Sequence, residues 1–131
     1  MTVSKSALLS RIGACLYVAW GVFHVSVAHD IYQLGTGQSG IAQGRLYQLA
    51  AYMLSIALFA IITAVLGNWR ESERAYWLNL CVVGWADGIW LLVDVFPGYV
   101  PFVRGIFPPI IFLLAAVFTS WARLVRMTNS R

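Results

Sequence analysis

The sequence predicts an all-α protein, an integral membrane four-helix transmembrane bundle with both ends of the chain on the cytoplasmic side. Three observations predict it. Four apolar runs of about 20 residues, the length that crosses ~30 Å of hydrocarbon, divide the chain. Apolar residues make up 60% of the 131 and charged residues only 11%. A water-soluble domain carries roughly a quarter charged residues, so this chain has too few to cover a globule, and its mean hydropathy is +0.75. Finally, the basic residues collect in alternate connections between the runs. Lipid offers the backbone no hydrogen-bond partner, so each run satisfies its own N–H and C=O groups as a helix. One domain, residues 1–131, is expected.

The first run, 8–28, follows Lys5 and carries Tyr17, Trp20 and His24. It is longer than a signal-peptide core and has no small-x-small cleavage site before the next polar stretch, which predicts a retained helix. Its small residues Ala14, Gly21 and Ala28 repeat every seven positions. Gly35-Thr36-Gly37-Gln38-Ser39-Gly40 reads as a flexible loop. The second run, 46–66, opens with Tyr47, Gln48 and Tyr52, and residues 68–74 form a short charged connection. The third, 76–96, holds Asp87, Asp94 and the GxxxG segment Gly84-Trp85-Ala86-Asp87-Gly88, a pattern that lets helix backbones approach closely. A turn is expected at Phe96-Pro97-Gly98-Tyr99-Val100-Pro101. The fourth run, 106–125, has Pro108-Pro109 in its first turns, where a missing N–H costs least. Trp20-Gly21 with His29, and Trp85-Ala86 with Asp94, repeat at an offset of 65 (85 − 20 and 94 − 29), an echo that helices two and four do not keep.

Orientation follows from the basic residues. Lys5, Arg11, Arg70, Arg74, Arg123, Arg126 and Arg131 fall on one side, against Arg45 and Arg104 on the other. The bias puts both termini inside, as in a multi-pass protein of a bacterial inner membrane. Trp69, Trp77, Tyr47, Tyr99 and Trp121 sit near the expected interfaces, where amphipathic rings belong.

Several classes are set aside. The net charge of +4 comes from loops and tails rather than a basic patch with interleaved aromatics, so no nucleic-acid partner is expected. Cys15 and Cys81 lie inside apolar runs with no CxxC or Cys/His spacing, which supports neither a disulfide framework nor a structural zinc site. A haem needs a second axial ligand facing His24, and His29, five residues on, points elsewhere. His29, Asp30 and Asp94 near the boundary read as solvated rather than as a metal site. No metal and no cofactor is expected.

The acidic residues locate the candidate chemistry. Glu71 and Glu73 lie in the charged connection, whereas Asp87 falls near the middle of the third helix. A charge there costs at least ~2.5–3.5 kcal/mol on insertion scales, so it faces protein or water, never lipid. Asp94, seven residues on, shares its stripe. At the same outer depth the first helix offers His24, the second Tyr47, Gln48 and Tyr52, and the start of the fourth Arg104, while the inner halves are nearly featureless. Close packing of helices one and three through their small residues would bring His24 to within about 3–4 Å, or one water, of Asp87.

These groups suggest an intramembrane enzyme that moves protons on a small lipophilic substrate, by isomerisation or cyclisation, in a pocket of the outer half. Asp87 and His24 are the expected acid and base, with Asp94 as relay. Trp20, Trp85 and Trp90 would form an aromatic wall, and Tyr17, Tyr52, Gln48 and Arg104 complete the substrate pocket. The alternatives are a small transporter or channel built around Asp87, which would require a homo-oligomer for its path, and a non-catalytic membrane subunit whose polar residues lock it to a partner.

The stretch Arg74-Ala75-Tyr76-Trp77-Leu78-Asn79 resembles, over six residues, the Arg-Ala-His-x-Asn motif of the membrane glutathione-transferase and eicosanoid-synthase family, whose members also have four helices. Tyr76 replaces the histidine, the following glutamate is missing, and the segment opens the third helix instead of the second. That family's glutathione site is therefore not carried over.

Overall fold

The structure, a computed structural model, describes residues 4–129. Arg131, counted above for orientation, lies outside them. The described residues form an all-helical structure, and four of its helices are long and apolar enough to span a membrane.

Helix α1, Lys5–Thr36, starts where Ser4 accepts a hydrogen bond on its side chain from the Ala7 N–H at 3.2 Å. It runs 32 residues, about 48 Å at ~1.5 Å each, well past the expected end at 28. The polar residues His29, Asp30 and Gln33 do not stop it, because polarity alone breaks no backbone hydrogen bond. Termination waits for Gly35-Thr36-Gly37. Helix α2, Gly40–Leu66, begins six residues earlier than expected (46 − 40), at a glycine with φ +62°. That left-handed conformation is one glycine adopts without steric cost. The supposed long loop is therefore three residues, 37–39.

A 3₁₀ turn, Asn68–Arg70, and the left-handed Glu71 lead to Ser72, which caps helix α3, Glu73–Trp90, by accepting from the Ala75 N–H at 3.4 Å. The helix then widens into a π turn, Leu91–Val95, where the Phe96 N–H reaches back five residues to the Leu91 carbonyl at 2.9 Å. One short turn, α4 (Phe102–Gly105), precedes α5 (Phe107–Asn129), which carries Pro108 and Pro109 in its first turn as expected.

Helix α1 is the hub, lying against both α2 and α5, while α3 packs on α2 and α5. Helices α1 and α3 therefore stand on opposite corners. This corrects the expected close approach of α1 and α3. The small residues of α1 serve its other neighbours: a Cβ on Gly13 would meet Thr119 Cγ2 of α5 at 2.5 Å, and one on Gly21 would meet Ile61 Cγ1 of α2 at 2.5 Å. Within the GxxxG of α3, Gly84 faces Phe112 of α5, and Gly88 has no neighbour within 4 Å.

The diagonal between opposite corners is the widest gap of a four-helix bundle. Here large side chains fill it. The core comprises Ala14, Tyr17, Trp20, Ala60, Ala64, Val83 and Ala115, in which alanines allow α1 to close on α2 and α5 while Tyr17 and Trp20 fill the centre. Outward-facing side chains are large and apolar: Trp85, Leu92, Val103, Leu113 and Leu124 are all exposed. Surface of this kind is what a bilayer solvates and water does not.

The bundle end that holds the start of α1, the end of α5 and the α2–α3 connection is tied by polar contacts. Glu73 binds Arg123 at 2.6 Å and Arg126 at 3.2 Å, Arg126 also donates to the Glu71 carbonyl, and Ser10 donates to the Asn68 carbonyl at 2.5 Å. Further in, the buried Asn79 donates to the Ala60 carbonyl at 3.4 Å, and the Tyr76 hydroxyl lies 3.0 Å from Ser120 Oγ. The half of the bundle expected to be nearly featureless thus has its own polar contacts, distributed over side chains that are individually ordinary in sequence.

Candidate active site

A cavity of about 100 Å³ lies in the half of the bundle away from the termini. Helix α1 contributes Trp20, Phe23 and His24 to it, α2 Met53 and Ile56, α3 Ala86, Asp87 and Trp90, α4 Arg104, and α5 Pro108. Every helix therefore supplies part of the wall.

Asp87 is 3% exposed. Its two carboxyl oxygens lie 3.2 and 3.1 Å from Trp20 Nε1, so a single indole N–H is shared between them. Among the described residues no lysine or arginine pairs with it; the ion pairs all involve Glu73. A buried carboxyl normally has a cation or several donors. This one has one neutral donor and faces a cavity.

His24, 7% exposed, follows Trp20 by one helical turn. Its Nδ1 is 2.8 Å from the Trp20 carbonyl, and its ring stacks on the Trp20 indole at 3.7 Å between centroids and 27° between planes. Phe23 meets it edge-on at 5.3 Å. A carbonyl only accepts, so Nδ1 donates to it, and in the neutral ring Nε2 is left as the basic nitrogen.

The direct Asp87–His24 contact expected from sequence is not formed; Trp20 stands between them. Its N–H serves the carboxyl and its face serves the imidazole. The reason is the diagonal placement of α1 and α3, across which the Trp20 indole reaches Asp87. Trp20 is completely buried.

The remaining sequence candidates separate. Trp90 lines the cavity and donates from Nε1 to the Gly105 carbonyl at 2.9 Å, fixing α4 and with it Arg104, which is exposed at the cavity's rim. Trp85 is 73% exposed and points away from the bundle, so it is no part of the wall. Helix position explains this: Trp85 precedes Ala86 and Asp87 on a helix whose inner face lies at 79, 83 and 87. Tyr17 is buried in the core against Phe112, ring centroids 6.3 Å apart, outside the cavity. Gln48 donates to the Tyr52 hydroxyl at 2.7 Å and accepts from Arg45 at 3.1 Å, a ladder on the exposed face of α2 rather than a lining. Asp94 falls inside the π turn, half-buried and away from the cavity, where the widened turn breaks the seven-residue stripe it was to share with Asp87. Among the described residues no three His, Cys, Asp or Glu side chains converge as a metal site requires.

Sequence reasoning passes over Phe23, Met53, Ile56, Ala86 and Pro108. All are apolar residues in apolar runs and carry no local signal. Asn79 has one: an amide inside an apolar run, eight residues before Asp87, on the same buried face.

The chain matches no family model, and no curated protein or solved structure is significantly similar to it.

Proposed function

We propose that this protein is an integral membrane enzyme that transfers protons on a small lipophilic molecule, in an isomerisation or cyclisation needing no net redox change. Asp87 gives a proton to one atom of the substrate and His24 Nε2 removes one from another, so the proton count of substrate and product is the same. Trp20 is a positioning residue that holds both groups, and Arg104 with Trp90 closes the rim. The single observation that carries this reading is Asp87, buried without a cation and turned to a cavity that His24 also lines. A purely structural acid is instead expected to be matched by charge, since an unpaired buried carboxyl is a cost to the fold.

Both termini lie in the cytoplasm on this reading, supported by the imbalance of Lys and Arg between the connections. The cavity then belongs to the outer half of a bacterial inner membrane. The cofactor-free character of the chemistry and a single chain as the catalytic unit are parts of the same proposal.

The test compares extracts of cells expressing the full chain, Asp87→Asn and His24→Gln at matched membrane levels. A pair of isomeric lipophilic compounds should interconvert with the wild-type chain and with neither variant. Unchanged interconversion in Asp87→Asn would remove the proposed centre. Movement of a solute into sealed vesicles that depends on Asp87, with no isomer change, would turn the assignment to transport.

A further inference from the structure

We propose that the crevice between α2 and α3 is a lateral portal, through which a membrane-dissolved molecule with an apolar chain and a small polar end reaches the Asp87 cavity. This rests on the bundle spanning a bilayer and on the cavity being the reaction chamber, as proposed above.

Volume is the first reason. A cavity of about 100 Å³ takes the reacting end of a molecule, whereas whole ligands of ordinary size occupy ~300–1,000 Å³. The rest of the substrate needs a place. On the outer side of α2 and α3 lies an apolar crevice of about 460 Å³, flanked by Cys81, Trp85 and Ile89. Continuity is the second reason. Met53, Ile56 and Ala86 line both the crevice and the cavity, so one layer of side chains separates hydrocarbon from Asp87.

That layer is suited to open. Ala86 is small. Met53 is unbranched with three rotatable bonds and fills irregular gaps without a fixed rotamer, so it can swing aside at little cost. Just beyond, a Cβ on Gly88 would touch nothing within 4 Å, so the face of α3 at position 88 is open. Met53 is thus the gate, a positioning residue that admits substrate rather than reacting with it. The crevice contains no charged side chain, so it selects for apolar chains; the charge at Arg104 guards the other rim, through which a water-soluble molecule would come.

The experiment is photolabelling of the full chain in phosphatidylcholine vesicles, with an alkyl diazirine dissolved in the lipid and, separately, a water-soluble diazirine. Adducts are mapped by mass spectrometry, and outward residues such as Leu113 and Trp121 report contact with lipid. The lipid-phase probe should label Asp87 and His24, several-fold less in Met53→Trp, which fills the gate, and equally in Arg104→Trp, which fills the rim. Labelling of Asp87 by the water-soluble probe that Arg104→Trp abolishes and Met53→Trp does not would overturn the portal. So would labelling of Trp85 and Ile89 with none beyond the gate. If Met53→Trp is not folded, Ile56→Phe supplies the same block. No turnover is needed, so a portal that labels as expected while Asp87→Asn retains interconversion would condemn the proposed chemistry alone.

Discussion

Two acidic residues on one helix, Glu73 at the start of α3 and Asp87 fourteen residues on, live in opposite circumstances. Glu73 is 45% exposed at its side chain, held by Arg123 and Arg126 and by the Trp77 N–H at 3.0 Å. Asp87 is buried, held by one indole N–H, and among the described residues no lysine or arginine pairs with it. The first arrangement neutralises charge with redundant partners and leaves no room beside it for a guest larger than a water. The second leaves a carboxyl underserved beside a cavity. On the proposed reading, the unmatched buried carboxyl serves chemistry and not stability. The contrast therefore assigns the two ends of α3 different work: the paired end fastens α3 to α5, and the unpaired end is the proposed chemical end.

Substitutions can break this contrast. The largest effect is expected at Asp87→Asn, which keeps shape and removes the exchangeable proton: turnover should fall by ~10²–10⁴-fold, the usual contribution of a positioned acid or base, with thermal unfolding in detergent nearly unchanged. Loss of folding with no separable loss of turnover would make Asp87 a structural acid like Glu73. Next comes His24→Gln, which should lose about 10²-fold or more in kcat with KM little changed if Nε2 acts only in the transition state. A rise in KM alone would mean that the imidazole binds substrate and does not react. Trp20→Phe should be intermediate in both readouts. It keeps an aromatic ring to stack on His24 but removes the one donor to Asp87 found among the described residues, costing ~1–3 kcal/mol of stability. As a positioning residue it should also shift the pH profile of turnover, which loss of packing alone would not do.

Much of this bundle can be read from sequence, and the failures have identifiable causes. Four spans follow from apolar length, and the C-terminal limit of α2 at Leu66 agrees because Gly67 and Asn68 follow immediately. The end of α1 is misplaced by sequence because His29 and Asp30 are polar, yet a helix ends where the backbone conformation changes, which glycine at 35 and 37 permits. Asp87 stands out in any reading because a carboxyl in an apolar run has no ordinary excuse. Its partner does not, since helix adjacency is a long-range property. The repeat of Ala14, Gly21 and Ala28 says that α1 is closely approached, and it cannot say by which helix. Gly84 and Gly88 invite α1 as the answer, whereas α5 and empty space meet them. Trp85 carries the same limit: composition marks it as aromatic, and only the position of α3 among its neighbours decides that it faces outward.

The smallest expected effect lies at the paired end. Glu73→Gln removes one charge from a cluster whose members are all partly exposed, and ion pairs of this kind contribute ~0–1 kcal/mol because water and salt already screen them. Unfolding in detergent should therefore move little, and less again at high salt. Turnover should not move at all, because the cluster sits at the other end of the bundle from Asp87 and shares no side chain with its cavity. The amide of that variant keeps one acceptor oxygen in place of two, so either the Trp77 N–H or Arg126, which sit on different carboxylate oxygens, loses its partner; at this exposed site the freed donor turns to water. If Glu73→Gln instead lowered kcat as Asp87→Asn is expected to, the ends of α3 would be coupled through the helix. The division between a fastening end and a reacting end would then be the wrong description of this bundle.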